Sequence, residues 1–129
     1  MRPDLVTVND LIGKPWRLGA RGPDAYDCWG LVREILQRMH PTEPLPDWAS
    51  GDMDRELQRA LIAGAPPVWC VPVEGLPSGS ILISEWAGHV AIVVGRMAVT
   101  SRRFGGVVAL RVHDYAAQFP DLRAYKWHA

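Results

Sequence analysis

Residues 27–39 read Asp-Cys-Trp-Gly-Leu-Val-Arg-Glu-Ile-Leu-Gln-Arg-Met, and residues 80–94 read Ser-Ile-Leu-Ile-Ser-Glu-Trp-Ala-Gly-His-Val-Ala-Ile-Val-Val. In the first stretch Leu31, Val32, Ile35, Leu36 and Met39 recur at helical spacing, while Arg33, Glu34, Gln37 and Arg38 fill the opposite face. That pattern predicts a buried amphipathic helix over about 28–39. Asp27 stands where its N-cap belongs. The second stretch holds two short apolar runs, Ser80–Ser84 and His89–Val94, which read as strands. Ala98–Ser101, Val107–Val112 and Arg123–Trp127 read as three more, with Gly95, Gly105 and Gly106 marking turns. Helices first and strands afterward predict an α+β fold, with N-terminal helices packed on a C-terminal antiparallel sheet of about five strands.

Working outward, residues 4–12 carry Leu5, Val8, Leu11 and Ile12 on one stripe and predict a short helix, stopped by Gly13 and Pro15. Residues 17–27 are rich in Gly, Arg and Asp and read as a loop. Pro41, Pro44 and Pro46 impose an extended linker, followed by a second helix over about 52–63 that Gly64 closes. A chain of 129 residues, 48% hydrophobic and 22% charged, suits one globular domain spanning 1–129. Fourteen basic residues balance fourteen acidic ones, which argues against a general nucleic-acid binder. No apolar run approaches the roughly 20 residues that span a bilayer, so membrane insertion is not expected. Met1–Asp10 contains Asp4 and Asp10 and no signal-like apolar stretch, so nothing in it directs secretion. Two cysteines make no disulfide framework, and free thiols suit synthesis in a reducing cytoplasm.

Cys28 is the sharpest chemical signal. At the start of a helix, backbone N–H groups and the helix dipole favour a thiolate, and the thiolate is the nucleophile. The competing reading is a small buried hydrophobe, the common fate of a lone cysteine. A nucleophilic cysteine needs a fixed base. His89, opening an apolar strand after Gly88, is the best candidate, against the alternative of a strand-end histidine facing solvent. His40 reads as a helix-terminal histidine, His113 as a surface residue and His128 as part of the tail; Cys70 reads as a core residue. None of these is paired at a short metal-ligand spacing, so neither a metal nor another cofactor is expected.

The segments around both residues resemble one family. Gly13-Lys14-Pro15-Trp16, then Gly22-Pro23-Asp24-Ala25-Tyr26-Asp27-Cys28-Trp29-Gly30-Leu31-Val32, is similar to the nucleophile segment of the NlpC family of cell-wall cysteine peptidases. Leu76-Pro77-Ser78-Gly79-Ser80-Ile81-Leu82-Ile83 resembles that family's Pro-Gly-Asp-hydrophobic strand, and Gly88-His89-Val90-Ala91-Ile92-Val93-Val94-Gly95 its His-Val-Gly-Ile strand. The order Cys then His, about sixty residues apart, agrees as well. Trp29, the loop before Cys28 and the Thr100-Ser101-Arg102-Arg103 stretch look most like the short members encoded with phage tail genes. The resemblance covers roughly residues 5–127. It implies a papain-like α+β fold and hydrolysis of peptidoglycan peptide stems, typically between D-Glu and a diamino acid. It implies acyl transfer with Cys28 as nucleophile and His89 as base, and no metal. It also implies other phage tail proteins as partners, synthesis in the host bacterial cytoplasm, and action at the cell wall from the virion tail.

Two positions depart from the family pattern. The third polar residue, most often His, falls near Val99, Thr100 or Ser101, depending on how the count is made; a hydroxyl there can accept a ring N–H bond but brings no charge. Trp16 replaces the usual Tyr, exchanging a hydroxyl for an N–H that can only donate. Asp27 matches the acid that helps receive the substrate's free amine, a role that competes with capping. Trp29 and Trp86 are candidates to line the cleft with Trp16, and Trp48 and Trp69 to contact a partner or pin the linker. Arg17, Arg21, Arg102 and Arg103 suit stem carboxylates, or are solvated loop charges. The departures leave two readings open: a hydrolase of reduced activity, or the same domain kept as a structural part of a tail tip.

Overall fold

The computed structural model describes residues 6–42, 44–45 and 70–127. In chain order it contains α1 (Cys28–Met39), β1 (Cys70–Pro72), β2 (Ile81–Ser84), β3 (His89–Val94), β4 (Met97–Arg102), β5 (Gly106–Arg111), α2 (Val112–Ala116) and β6 (Arg123–Trp127). The strands form one antiparallel sheet in the order β1-β6-β2-β3-β4-β5. The α+β class expected from the helix-then-strand pattern is therefore present. The helix expected over 52–63, Trp48, Trp69 and the side chain of Cys70 lie outside the described residues.

Helix α1 forms where its apolar stripe predicts. Asp27 caps it by accepting the N–H of Gly30, and Leu31, Val32, Ile35, Leu36 and Met39 are all buried. They pack with Val90, Ile92 and Val99, the residues of β3 and β4 that share one face of the sheet. The opposite face is smaller. Ala91, Val93 and Ala98 pack there with Leu82, Val112 and Tyr115, so α2 covers the side that α1 leaves open. By strand alternation His89 belongs with Ala91 and Val93 on the α2 side.

Three expectations are corrected. No helix forms in the described part of 4–12; residues 9–13 are turns, with Leu11 N–H bonded to the Val8 carbonyl and Lys14 N–H to that of Leu11. So short a segment gains too few helical hydrogen bonds to offset nucleation. It is held by tertiary contacts instead: the Arg38 guanidinium grips both Asp10 carboxylate oxygens at 2.7 and 2.8 Å and reaches the Thr7 carbonyl. Second, the strand expected over Val107–Val112 ends at Arg111, and Val112 opens α2. An apolar residue between two structure types carries no periodicity that says which one owns it. Third, a sixth strand joins the five expected among the described residues, because Cys70–Pro72 pairs with β6. Three residues with a proline are too few to announce a strand.

The loop before α1 is stitched to its surroundings by backbone contacts that need glycine. A Cβ on Gly30 would run into the Ala20 carbonyl oxygen, where the 17–27 loop crosses the first turn of α1. Gly106, at a φ of +68°, lets the Lys14 carbonyl approach β5, where it accepts the Val107 N–H at 2.9 Å. Gly30→Ala should therefore destabilise the fold by about 1–3 kcal/mol, the usual range for overpacking. A lowered urea midpoint at unchanged slope checks it; an unchanged midpoint contradicts the crossing described here.

Candidate active site

Four contacts hold the Cys28 loop in place. Tyr26 donates its N–H to the Pro15 carbonyl at 3.0 Å, and Asp27 donates its own to Ala20 at 3.2 Å. Arg21 and Tyr26 form an isolated antiparallel bridge. The Ser101 hydroxyl, on β4, donates to the Tyr26 carbonyl at 2.7 Å. The residue two positions before the cysteine is thereby tied to a central strand of the sheet.

Asp27 is completely buried, and both its oxygens are engaged. Oδ1 accepts the Gly30 N–H at 2.6 Å and the Arg21 guanidinium at 2.9 Å, and Oδ2 accepts the Gly19 N–H at 2.8 Å. Burial pushes the Asp27 carboxyl up, and the Arg21 charge and the two backbone N–H groups pull against that shift. The expectation that Asp27 receives a substrate amine is thus corrected: its carboxylate is inside the protein, and its partners are the cap and the loop. Arg21, expected among loop charges for stem carboxylates, is its counter-ion. That pairing also removes a net negative charge from beside Cys28, leaving the positive end of the α1 dipole to act on the sulfur.

Cys28 is the first residue of α1 and only 1% exposed. It packs in the cluster beneath α1, as a small core residue would. His89 is half-buried at the start of β3. Both adjoin Tyr115. The imidazole and phenol ring centroids are 6.3 Å apart, and after burial itself, negative charge on Cys28 is the next cause that pushes the Tyr115 hydroxyl pKa upward.

Of the three positions considered for orienting His89, Thr100 takes the role. Its Oγ1 lies 2.9 Å from His89 Nε2 and donates its hydrogen to the Val90 carbonyl at 2.8 Å. With that hydrogen engaged, the hydroxyl can only accept from the ring, so Nε2 carries the proton. In the neutral imidazole, Nδ1 is then the nitrogen that carries no proton. Ser101 does not share this role, because its hydroxyl holds Tyr26. Val99 is a fully buried core residue. The ring is also packed: Phe119 stacks on it at 6.0 Å and 25°, and Tyr115 tilts against Phe119 at 5.0 Å.

The tryptophans separate. Trp29 is 3% exposed within the α1 core, which corrects its assignment to the cleft; as the second residue of α1 it falls on the buried stripe. Trp16 is half-buried. Trp86 is 73% exposed, in the turn just before His89. Asp121 anchors that turn by accepting the Trp86 N–H at 2.9 Å and the Ser84 hydroxyl at 2.8 Å, and these two donors hold its carboxyl below the usual range. Arg102 is half-buried at the end of β4, and Arg103 lies over the exposed Phe104 ring. Sequence reasoning missed Tyr115, Phe119 and Asp121. Their signal is weak: Val112-His-Asp-Tyr-Ala has helical composition after a strand, but nothing in it points to His89.

Among the described residues no group of His, Cys, Asp or Glu is gathered to hold a metal ion. The chain matches no protein-family model and no curated protein.

Two outcomes follow from these contacts. Asp27→Ala removes a cap and leaves Arg21 without its buried counter-ion, so thermal or urea unfolding should show a loss of about 2–4 kcal/mol. Thr100→Val keeps the side-chain shape but removes the acceptor for Nε2–H. Nitrogen NMR shifts should report one His89 tautomer in the wild type and a mixture in the variant. A single, unchanged tautomer in Thr100→Val would mean that another group orients the ring.

Proposed function

We propose that this protein is an NlpC-like cysteine peptidase with a papain-like arrangement of nucleophile helix and sheet, acting on the peptide stems of peptidoglycan. The observation that supports this reading best is the Thr100–His89 contact. A hydroxyl whose own hydrogen is engaged by Val90 dictates which imidazole nitrogen is basic. A strand-end histidine serving only as a surface group has no need of a buried acceptor on the next strand.

In this reading His89 Nδ1 takes the Sγ proton of Cys28, and the thiolate attacks the amide carbon of the stem. The negative charge moves to the carbonyl oxygen, held by N–H groups at the start of α1. The C–N bond then breaks as His89 returns its proton to the leaving amine, and a thioester remains. Water, deprotonated by the same nitrogen, attacks the thioester; the carboxylate leaves and the thiol is restored. Thr100 keeps accepting from Nε2–H throughout and brings no charge of its own, so the imidazolium is stabilised less than beside a carboxylate. The catalytic power is correspondingly reduced. Trp86 borders the substrate on the His89 side, and Arg102 and Arg103 face its carboxylates. The bond cut is the one between D-Glu and a diamino acid. The setting is a phage tail, assembled with other tail proteins in the bacterial cytoplasm and opening the wall locally.

A second reading is favoured by the burial of Cys28: the domain serves as a structural part of a tail tip with its chemistry lost. Zymography on purified peptidoglycan separates the two. Wild type should clear, and Cys28→Ala should not. Equal clearing, or none by either, contradicts the peptidase; co-purification with neighbouring tail proteins that survives Cys28→Ala then favours the structural role.

A further inference from the structure

His89 is held at its ring and, separately, at the backbone that leads into it. β2 ends at Ser84 and β3 begins at His89, and the two residues pair across the hairpin, so residues 85–88 form the turn from which the imidazole starts. Three consecutive amides of that turn have their acceptors. Trp86 donates to Asp121 Oδ2 at 2.9 Å, Ala87 to the Ser84 hydroxyl oxygen at 3.1 Å, and Gly88 to the Glu85 carbonyl at 3.2 Å. Ser84, fully buried, donates its own hydrogen to Asp121 Oδ1 at 2.8 Å. Both oxygens of one distant carboxylate therefore hold this turn. Asp121 belongs to a turn of its own: Leu122 donates its N–H to the Phe119 carbonyl at 3.1 Å, closing Phe119-Pro120-Asp121-Leu122 with proline in the second place, where its fixed φ favours turning. Arg123 then pairs with Ile83, which fixes the turn to the sheet. Phe119, in the first place of the same turn, stacks on the His89 ring at 6.0 Å and 25°, backed by Tyr115 at 5.0 Å. Reversing the chain here accounts for Pro120; it does not require Phe119 or Asp121 to reach His89 and the turn before it.

We propose that the Phe119–Leu122 turn is a clamp on His89, with Phe119 and Asp121 as positioning residues: Phe119 fixes the plane of the imidazole, and Asp121 fixes the backbone from which the imidazole projects. This rests on the reading of His89 as the base. Thr100 holds Nε2 from β4, but one hydrogen bond leaves the ring able to tilt about it, and the bond forms only while β3 begins in the right place. The stacked Phe119 ring opposes the tilt, and the anchored turn opposes the displacement. Such control matters because a misplacement of about 1 Å can cost on the order of a hundredfold in rate. Both residues act through His89: Phe119 has no polar side-chain atom, and the Asp121 oxygens are engaged by Trp86 and Ser84. The donors that Asp121 meets are neutral, so what it supplies is two well-placed hydrogen-bonding atoms. Asparagine can keep both contacts, its oxygen accepting the Trp86 N–H and its amide donating to the Ser84 hydroxyl oxygen; alanine keeps neither.

The test compares Asp121→Ala, Asp121→Asn and Phe119→Leu with the wild type, each as the full chain. Nitrogen NMR shifts of the His89 ring report its tautomer, urea unfolding reports stability, and release of peptide from purified peptidoglycan reports turnover. Asp121→Ala and Phe119→Leu should each turn the single tautomer of the wild type into a mixture and lower turnover by about tenfold or more. Asp121→Asn should recover most of both. Lower stability with a single tautomer and wild-type turnover in Asp121→Ala and Phe119→Leu is the result of a merely structural turn; it overturns the clamp and leaves the peptidase reading intact. Asp121→Asn behaving like Asp121→Ala overturns the part assigned to the two contacts of Asp121. Where Asp121→Ala does not fold, Phe119→Leu decides. If the wild type releases nothing, the tautomers still decide the clamp, and the peptidase reading alone falls.

Discussion

Two consecutive hydroxyls on β4 organise the site. Thr100 faces His89 and settles which nitrogen is protonated; Ser101 holds the carbonyl of Tyr26, two residues before Cys28. Segments separated by most of the chain are thereby referred to one pair of neighbouring residues on a central strand. Because β4 is hydrogen-bonded on both sides, to β3 and to β5, neither hydroxyl can move without disturbing the sheet. The positioning of the His89 imidazole and of the loop before Cys28 therefore rests on a rigid element, where such precision is best kept.

The remaining structure serves that arrangement. α1 is anchored by its apolar face on β3 and β4, and its first turn is fixed by Asp27. The carboxylate caps the helix, ties down the 17–27 loop through Gly19 and Arg21, and is neutralised in doing so. Gly30 is demanded by the same crossing, because the loop backbone passes where a side chain would stand. On the opposite face, α2 and the turns that follow it bring Tyr115, Phe119 and Asp121 around the start of β3. Asp121 holds the turn carrying Trp86, while the two rings pack on the imidazole.

Much of the fold is legible in the chain because it depends on periodicity. The stripe of Leu31, Val32, Ile35, Leu36 and Met39 defines α1 to the residue, and the apolar run at 89–94 defines β3 equally well, while Arg123–Trp127, expected as a strand, forms β6. Where pattern fails, it fails for local reasons. Residues 4–12 have a helical stripe but too little length, and Arg38, far along the chain, holds the segment as turns. Val112 belongs to a helix because α2 must cover Ala91, Val93 and Ala98, a requirement that no local window contains.

The candidate site divides along the same line. Cys28, His89 and the cap at Asp27 are evident from the sequence alone, since each sits at the end of an element whose limits the pattern defines. Which of Val99, Thr100 and Ser101 meets the imidazole depends on the register between β3 and β4, and register is a property of paired strands. The burial of Asp27 and of Trp29 follows from how the loop and α1 fold onto the sheet. Tyr115 and Phe119 reach His89 only because α2 turns back over it. Local order along a chain determines where an element begins; contact between distant elements is decided by packing, which no stretch of sequence holds by itself.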